Sequence, residues 1–265
     1  MNDSPVILLH GYPFDRSMWR EQIDFLNAQE YQVAAPDLLG LITRDDKLQF
    51  VDEPIEGETD RQAEACHTMA DMARDIEGLM DALRIERAVI CGLSMGGYVA
   101  FEFMHLFPER VRALILAGTR APADNEQEKQ VRLQQVEQML AKGMSEIAGS
   151  SVPKLLSPRT LAEKPGVVAQ LREMVLRADP KGAAAAQRGM AARRDYTGDL
   201  ETIDVPTLVI VGRDDPIRPI ADAEFMHKRI RNSRLEIIAN AAHMTNMEQP
   251  EIFNRAVLSF LRDTV

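Results

Sequence analysis

An α/β fold, with a mostly parallel sheet flanked by helices, follows from three observations in the 265-residue sequence. Short β-branched runs alternate with longer stretches of helical periodicity, and several of those runs are apolar on consecutive residues. The length also suits one large α/β unit. A strand buried on both faces loses the polar–apolar alternation of a half-exposed one, so continuous apolar runs point to a parallel sheet covered on both sides.

The first strand is expected at Val6–Leu9 and the second at Tyr31–Ala35. Met69, Met72, Ala73, Ile76, Met80 and Leu83 then recur at spacings of three and four, with Asp71, Arg74, Asp75 and Asp81 on other faces, which predicts an amphipathic helix. Ala88–Cys91 is the third strand. Tyr98 to Phe107 is apolar almost all round and predicts a central, buried helix, followed by a fourth strand at Val111–Leu116. From 120 to 197 the alternation stops. Asp124 with Gln127 reads as a capping box opening a helix through about Lys142. Val167, Val168, Leu171, Met174 and Val175 mark a second helix, and Gly182 to Arg194 an alanine-rich third. Strands resume at Thr207–Val211 and Leu235–Ile238. Pro250 suits a first helical position, and Ile252, Phe253, Ala256, Val257, Phe260 and Leu261 then form one stripe. The expected organisation is a core of residues 1–119 and 198–265, with an all-helical insertion, 120–197, ahead of the fifth strand.

The charge balance narrows the partners. With 31 basic and 41 acidic residues the net charge is −10, and no basic cluster is present to bind a nucleic-acid backbone. Cys66 and Cys91 are too few for a disulfide framework and lack metal-ligand spacing, so neither a metal nor a cofactor is expected. No apolar run approaches the ~20 residues of a membrane-spanning helix. The first residues have neither the basic region nor the apolar run of a signal peptide, so the expectation is a cytoplasmic protein without a membrane partner. Asp45 to Glu64 holds eight acids and two bases, which predicts a solvated surface loop, with a cation or partner site as the alternative.

The chemistry centres on Gly92-Leu93-Ser94-Met95-Gly96, a G-x-S-x-G pattern between an expected strand and an expected helix. Serine at the apex of so tight a turn takes a strained backbone, and glycine two residues to either side lets strand and helix pass closely. The alternative is a glycine-rich turn whose serine merely caps the helix. A serine hydroxyl needs a base, and histidine, with an ordinary pKa of about 6.5, suits that task. Of the five histidines, His10 is expected to fix its loop, and His67, His105 and His227 sit where structural roles are commoner. His243 follows the last strand and is expected at the same sheet edge as Ser94. A carboxylate must hold the imidazole in one tautomer, and Asp214 and Asp215 both follow the fifth strand. Spacing alone does not separate them.

On these motifs the chain resembles the α/β-hydrolase-fold enzymes, nearly end to end. The match takes in His10-Gly11-Tyr12-Pro13, Pro36-Asp37-Leu38-Leu39-Gly40, the serine turn, Phe107-Pro108-Glu109-Arg110-Val111, Gly212-Arg213-Asp214-Asp215-Pro216, and Ala242-His243-Met244 through Glu248-Gln249-Pro250-Glu251. Two departures stand out: the antiparallel strands that usually open the family have no counterpart ahead of Val6, and the acidic stretch replaces a short turn after Gly40. The resemblance implies a Ser94–His243–Asp215 triad, Asp215 being selected by the family's G-x-x-D pattern. It also implies an oxyanion hole from the backbone N–H groups of Tyr12 and Met95, and a helical insertion serving as a lid. An aspartate nucleophile is excluded by Ser94, and the halide-binding tryptophan of dehalogenases by Met95. The expected substrate is a small carboxylic ester or lactone, closest to the 3-oxoadipate enol-lactonase and small bacterial carboxylesterase branch. Carbon–carbon bond hydrolysis, perhydrolysis and a ligand-binding role with slow turnover stay open. Met139, Met144, Met174 and Met190 are either pocket lining or ordinary packing, and Arg188, Arg193 and Arg194 could anchor a substrate carboxylate.

Overall fold

The computed structural model describes residues 2–41 and 66–264. The acidic stretch from Asp45 to Glu64, and the roles expected of it, lie outside the described residues. Six strands, β1 (Asn2–Leu9), β2 (Tyr31–Ala34), β3 (Ala88–Leu93), β4 (Val111–Ala117), β5 (Thr207–Gly212) and β6 (Ser233–Ile238), form one sheet in the order β2-β1-β3-β4-β5-β6. Every neighbouring pair is parallel. The interior strands β3 and β5 are buried along their whole length, which is why their sequences carry no polar alternation.

Helices α1 (Arg20–Ala28), α2 (Met69–Ala82) and α3 (Met95–Leu106) connect the first four strands. Thr68 caps α2 reciprocally with Asp71, and Met69, Met72, Ala73, Ile76 and Met80 are its buried face. Helix α3 is buried from Met95 through Met104, as its uniformly apolar sequence requires. His105, one residue on, is exposed and lies 3.5 Å from Asp199. Among the described residues no helix is long and apolar enough to cross a membrane.

Five helices separate β4 from β5: α4 (Glu126–Lys142), α5 (Met144–Leu155), α6 (Pro158–Glu163), α7 (Pro165–Arg177) and α8 (Pro180–Ala191). Two are absent from the sequence expectation. Gly149, Pro153, Ser157 and Pro158 interrupt the apolar period over α5 and α6, although Ser157 caps α6 and Pro158 takes its first position. The capping box of α4 is also one residue later than expected. Asn125 accepts from the Glu128 N–H at 2.9 Å and the Glu128 carboxylate accepts from Asn125 N–H at 2.9 Å. Asp124 is thereby left free to meet arginines. After β5 come α9 (Ile220–Arg229), α10 (Thr245–Glu248) and α11 (Pro250–Thr264), whose buried stripe includes Phe253, Val257, Phe260 and Leu261.

One face of helix α8 docks on main chain. A β-carbon on Gly182 would lie 1.5 Å from Gly40 O, and one on Gly189 1.8 Å from His67 O. The contacts are supported by Asp179 N–H to Leu41 O at 3.0 Å and His67 N–H to Ala185 O at 3.2 Å. Gly189→Ala is therefore expected to destabilise the protein by about 1–3 kcal/mol, because backbone and not a pliable side chain must move. Gly78→Ala in α2, where an added β-carbon meets nothing within 4 Å, is expected to stabilise by about 0.5–1 kcal/mol. Denaturant unfolding of the two variants beside the wild type measures both signs.

Candidate active site

Ser94 joins β3 to α3 with φ of 56° and ψ of −111°, a conformation that L residues rarely adopt. The turn closes because glycines flank it. A β-carbon on Gly92 would lie 2.2 Å from Gly96 O, and one on Gly96 2.1 Å from Leu9 O. Two bonds lock the strained residue: its N–H donates to Ala117 O at 2.9 Å, and Thr119 Oγ1 donates to its carbonyl at 2.9 Å.

Asp215 and His243 follow β5 and β6 at the same sheet edge. The imidazole reaches back across β5, so that a β-carbon on Gly118, at the end of β4, would touch its Cε1 and Nδ1 at 3.4 Å. Its Nδ1 lies 2.8 Å from Asp215 Oδ2, and both side chains are almost wholly buried. A carboxylate on Nδ1 fixes the proton there and leaves Nε2 as the acceptor. Asp215 Oδ1 accepts from the N–H groups of Ile217 at 2.8 Å and Arg218 at 2.9 Å. Burial pushes the Asp215 carboxyl up, but its interaction and hydrogen bond with the His243 ring and the bonds from the two amides outweigh it and hold the group below its usual value. Asp214 is exposed, which separates the two adjacent aspartates.

Ser94 and His243 line one cavity of about 530 Å³, with Tyr12 and Tyr98 among its other walls. No hydrogen bond joins them directly, and such contacts commonly tighten only when substrate binds. The Met95 amide, first in α3, has no carbonyl within the helix to bond. The loop carrying Tyr12 is fixed by His10, as expected of it: Leu38 N–H donates to Nε2 at 2.8 Å, so Nδ1 carries the proton and meets Gly11 O at 2.9 Å. Burial holds His10 below its ordinary pKa, consistent with a neutral ring. Among the described residues, no group of three or more His, Cys, Asp or Glu is placed to hold a metal ion.

A buried ionic network backs one wall, where Asp124 and Arg132 face the cavity. Asp124 accepts from Arg120 Nη2 at 2.7 Å, from Arg193 Nη1 at 2.8 Å and from Arg132 Nε. Arg132 also donates to Gln187 Oε1 at 2.8 Å. Arg193 lies 4.1 Å from the Tyr98 ring centroid, and Arg218 Nη2 donates to the Tyr98 hydroxyl. Arg218 is buried, its Nε has no partner, and it makes no ion pair among the described residues.

None of the three arginines singled out from sequence lines the cavity. Arg193 belongs to Asp124, Arg194 pairs with Asp199 at 2.8 Å, and the charge of Arg188 is felt at the Cys66 thiol. The arginines in the wall are Arg132 and Arg218. Met139 and Met190 line the cavity, whereas Met144 and Met174 are buried packing.

A family model described as the alpha/beta hydrolase fold matches residues 4–250. The chain belongs to the alpha/beta hydrolase family. Among relatives of this hydrolase, 3-oxoadipate enol-lactonase 2 of Acinetobacter baylyi is 32% identical over 191 residues, covering 72% of this chain and 70% of that one. Similar solved structures include a thermophilic esterase of Thermogutta terrifontis with malate bound, 38% identical with a TM-score of 0.88 over 98% of this chain and 90% of the other. The enol-lactonase of Burkholderia xenovorans is 26% identical, with a TM-score of 0.83 over 99% of this hydrolase and 92% of the other.

Burial pushes the Asp124 carboxyl up, but bonds and charges from Arg132 and Arg193 prevail and hold it at about 2. An unfolded aspartate titrates near 3.9, so the network contributes stability above about pH 4 that is lost as pH falls toward 2. Asp124→Asn is expected to be less stable at pH 7 and to show a flatter loss between pH 4 and 2. Denaturant midpoints across that range measure the slope, and equal slopes in the two proteins would contradict it.

Proposed function

We propose that this hydrolase cleaves a carboxylic ester or lactone by way of an acyl-enzyme on Ser94. The observation that carries the reading is the convergence on one cavity of a strained serine and a histidine whose Nδ1 is held by a buried carboxylate. In this mechanism Ser94 Oγ attacks the carbonyl carbon while His243 Nε2 takes its proton. The N–H groups of Met95 and Tyr12 hold the developing oxyanion, each worth about 10²–10³ in rate. His243 then protonates the leaving oxygen; Nε2 next takes a proton from the attacking water and returns it to Ser94 Oγ as the acid departs. Asp215 stays ionised throughout and stabilises the imidazolium. Residues 120–197 act as the cap that walls the cavity.

We further read the substrate as bearing a carboxylate. Arg218 is the reason: a buried guanidinium without an anionic partner is unfavourable until one arrives. Guanidinium cannot accept a hydrogen bond, so the Tyr98 proton is also free to donate into the cavity. Lys154, at the rim, likewise has no ion pair among the described residues. The malate held by one similar esterase accords with this reading.

Wild-type protein is expected to turn over p-nitrophenyl acetate many times, and Ser94→Ala to lose about 10⁴-fold or more. Undetectable turnover in both would favour ligand binding without catalysis. Monomethyl succinate is expected to exceed methyl butyrate by about 10–100-fold in kcat/KM, the worth of a charged hydrogen bond. Arg218→Gln should remove that preference while methyl butyrate keeps most of its rate. Equal kcat/KM for the two esters in the wild type would refute the carboxylate reading.

A further inference from the structure

Glu248 is fully buried, and the chemistry above makes no use of it. Its two carboxylate oxygens face opposite ways. Oε1 accepts the N–H of Ala242, the residue before His243, at 2.8 Å. Oε2 accepts the N–H of Ser157, in the turn between α5 and α6, at 2.7 Å. A second connection runs beside the first: Leu155 O accepts from the N–H of His243 at 3.1 Å and of Met244 at 3.3 Å. Lys164 Nζ closes the arrangement on Glu248 O. Three consecutive amides of the histidine loop, 242 to 244, therefore end on the 155–157 turn or on the carboxylate that binds it. On its other side the loop rests on β5, where a β-carbon on Gly212 would lie 2.0 Å from Ala242 O.

A buried carboxylate needs compensation, and here two main-chain N–H groups supply it from separate parts of the chain. Either N–H could have been satisfied by a local turn. Joining them through one side chain makes the position of the imidazole depend on that of the helical insertion. Proton transfer tolerates little displacement, since about 1 Å of misplacement can cost around 10² in rate.

We propose that Glu248 is a positioning residue for His243, fastening its loop to the 155–157 turn so that the helical insertion forms part of the catalytic framework. The inference rests on the reading of His243 as the base. It also implies that the insertion cannot lift from the core at this turn without withdrawing the imidazole from Ser94.

The backbone at the turn offers a clean test. Ser157 has φ of −64° and ψ of 152°, and Leu156 has φ of −118° and ψ of 146°, values that proline and its preceding residue adopt. Ser157→Pro thus keeps the backbone angles while replacing the N–H that Glu248 accepts with a ring carbon that presses on Oε2. Ser157→Ala removes only the hydroxyl that caps α6 and serves as the reference. Relative to that reference, Ser157→Pro is expected to lose about tenfold in kcat on p-nitrophenyl acetate, with KM within about twofold. The downfield proton resonance of the His243–Asp215 bond, assigned by its loss in Asp215→Asn, should shift or broaden. Glu248→Gln is expected to give the same split, because an amide accepts on one oxygen and presents N–H on the other side. Equal kcat in the two Ser157 variants, or a kcat loss with the resonance unmoved, would overturn the proposal. Failure of both Ser157→Pro and Glu248→Gln to fold would assign the bridge to stability alone and overturn it too. Activity surviving in Ser94→Ala would instead strike at the hydrolase reading, so the two failures are distinguishable.

Discussion

Main chain packed against main chain at the serine turn is the constraint from which the rest of the site follows. Leu9 O, Gly92 and Gly96 approach so closely that no β-carbon fits, and only this approach brings β3 into α3 abruptly enough to raise Ser94 at the sheet edge. The strain in Ser94 costs on the order of 1–3 kcal/mol, and the bonds to Ala117 and from Thr119 hold it in place. Because that turn opens a helix, the unbonded amide of Met95 comes with it. The proposed nucleophile and one proposed oxyanion donor are thus a single piece of backbone geometry.

The remaining parts are delivered by the sheet. Strands β4, β5 and β6 lie in order beyond β3, so residues that follow them emerge at the same edge at increasing distance from Ser94. Asp215 is anchored by two amides of its own loop, and His243 bridges the gap by lying over Gly118. Parallel topology explains how groups so distant in sequence share one cavity. The cavity wall has a different logic: one aspartate, Asp124, gathers three guanidiniums, and Arg218 is left without an anion of its own.

Much of this was legible in the sequence because it is written in local patterns. Continuous apolar runs announced the strands, and Gly92, Ser94 and Gly96 announced the turn by their spacing. His243 and Asp215 could be placed by their positions after strands, with the family pattern needed to choose between Asp214 and Asp215. What the sequence does not display depends on partners far away in the chain. The roles of Arg218 and Glu248 reside in contacts with Tyr98 and Ser157, about 120 and 90 residues distant, and no local period reports such pairings. Helices α5 and α6 are concealed for the opposite reason: glycine, serine and proline within and between them mimic a loop, while tertiary packing holds the segment helical. The one-residue error at the start of α4 arose because Asp124 and Asn125 are both good caps, and the arginines recruited the first.

The tie between Asp124 and its arginines bears on how this scaffold could be recombined. Arg120 and Asp124 stand where the chain leaves the core, and Arg193 where it returns, with Tyr196 N–H bonded to Ala121 O at 3.0 Å across the same junction. Both crossings are stapled to each other before either helix bundle or sheet begins. A chimaera that grafts another member's helices onto this core should therefore place its seams outside residues 120 and 196, carrying the staple along with the transplanted piece.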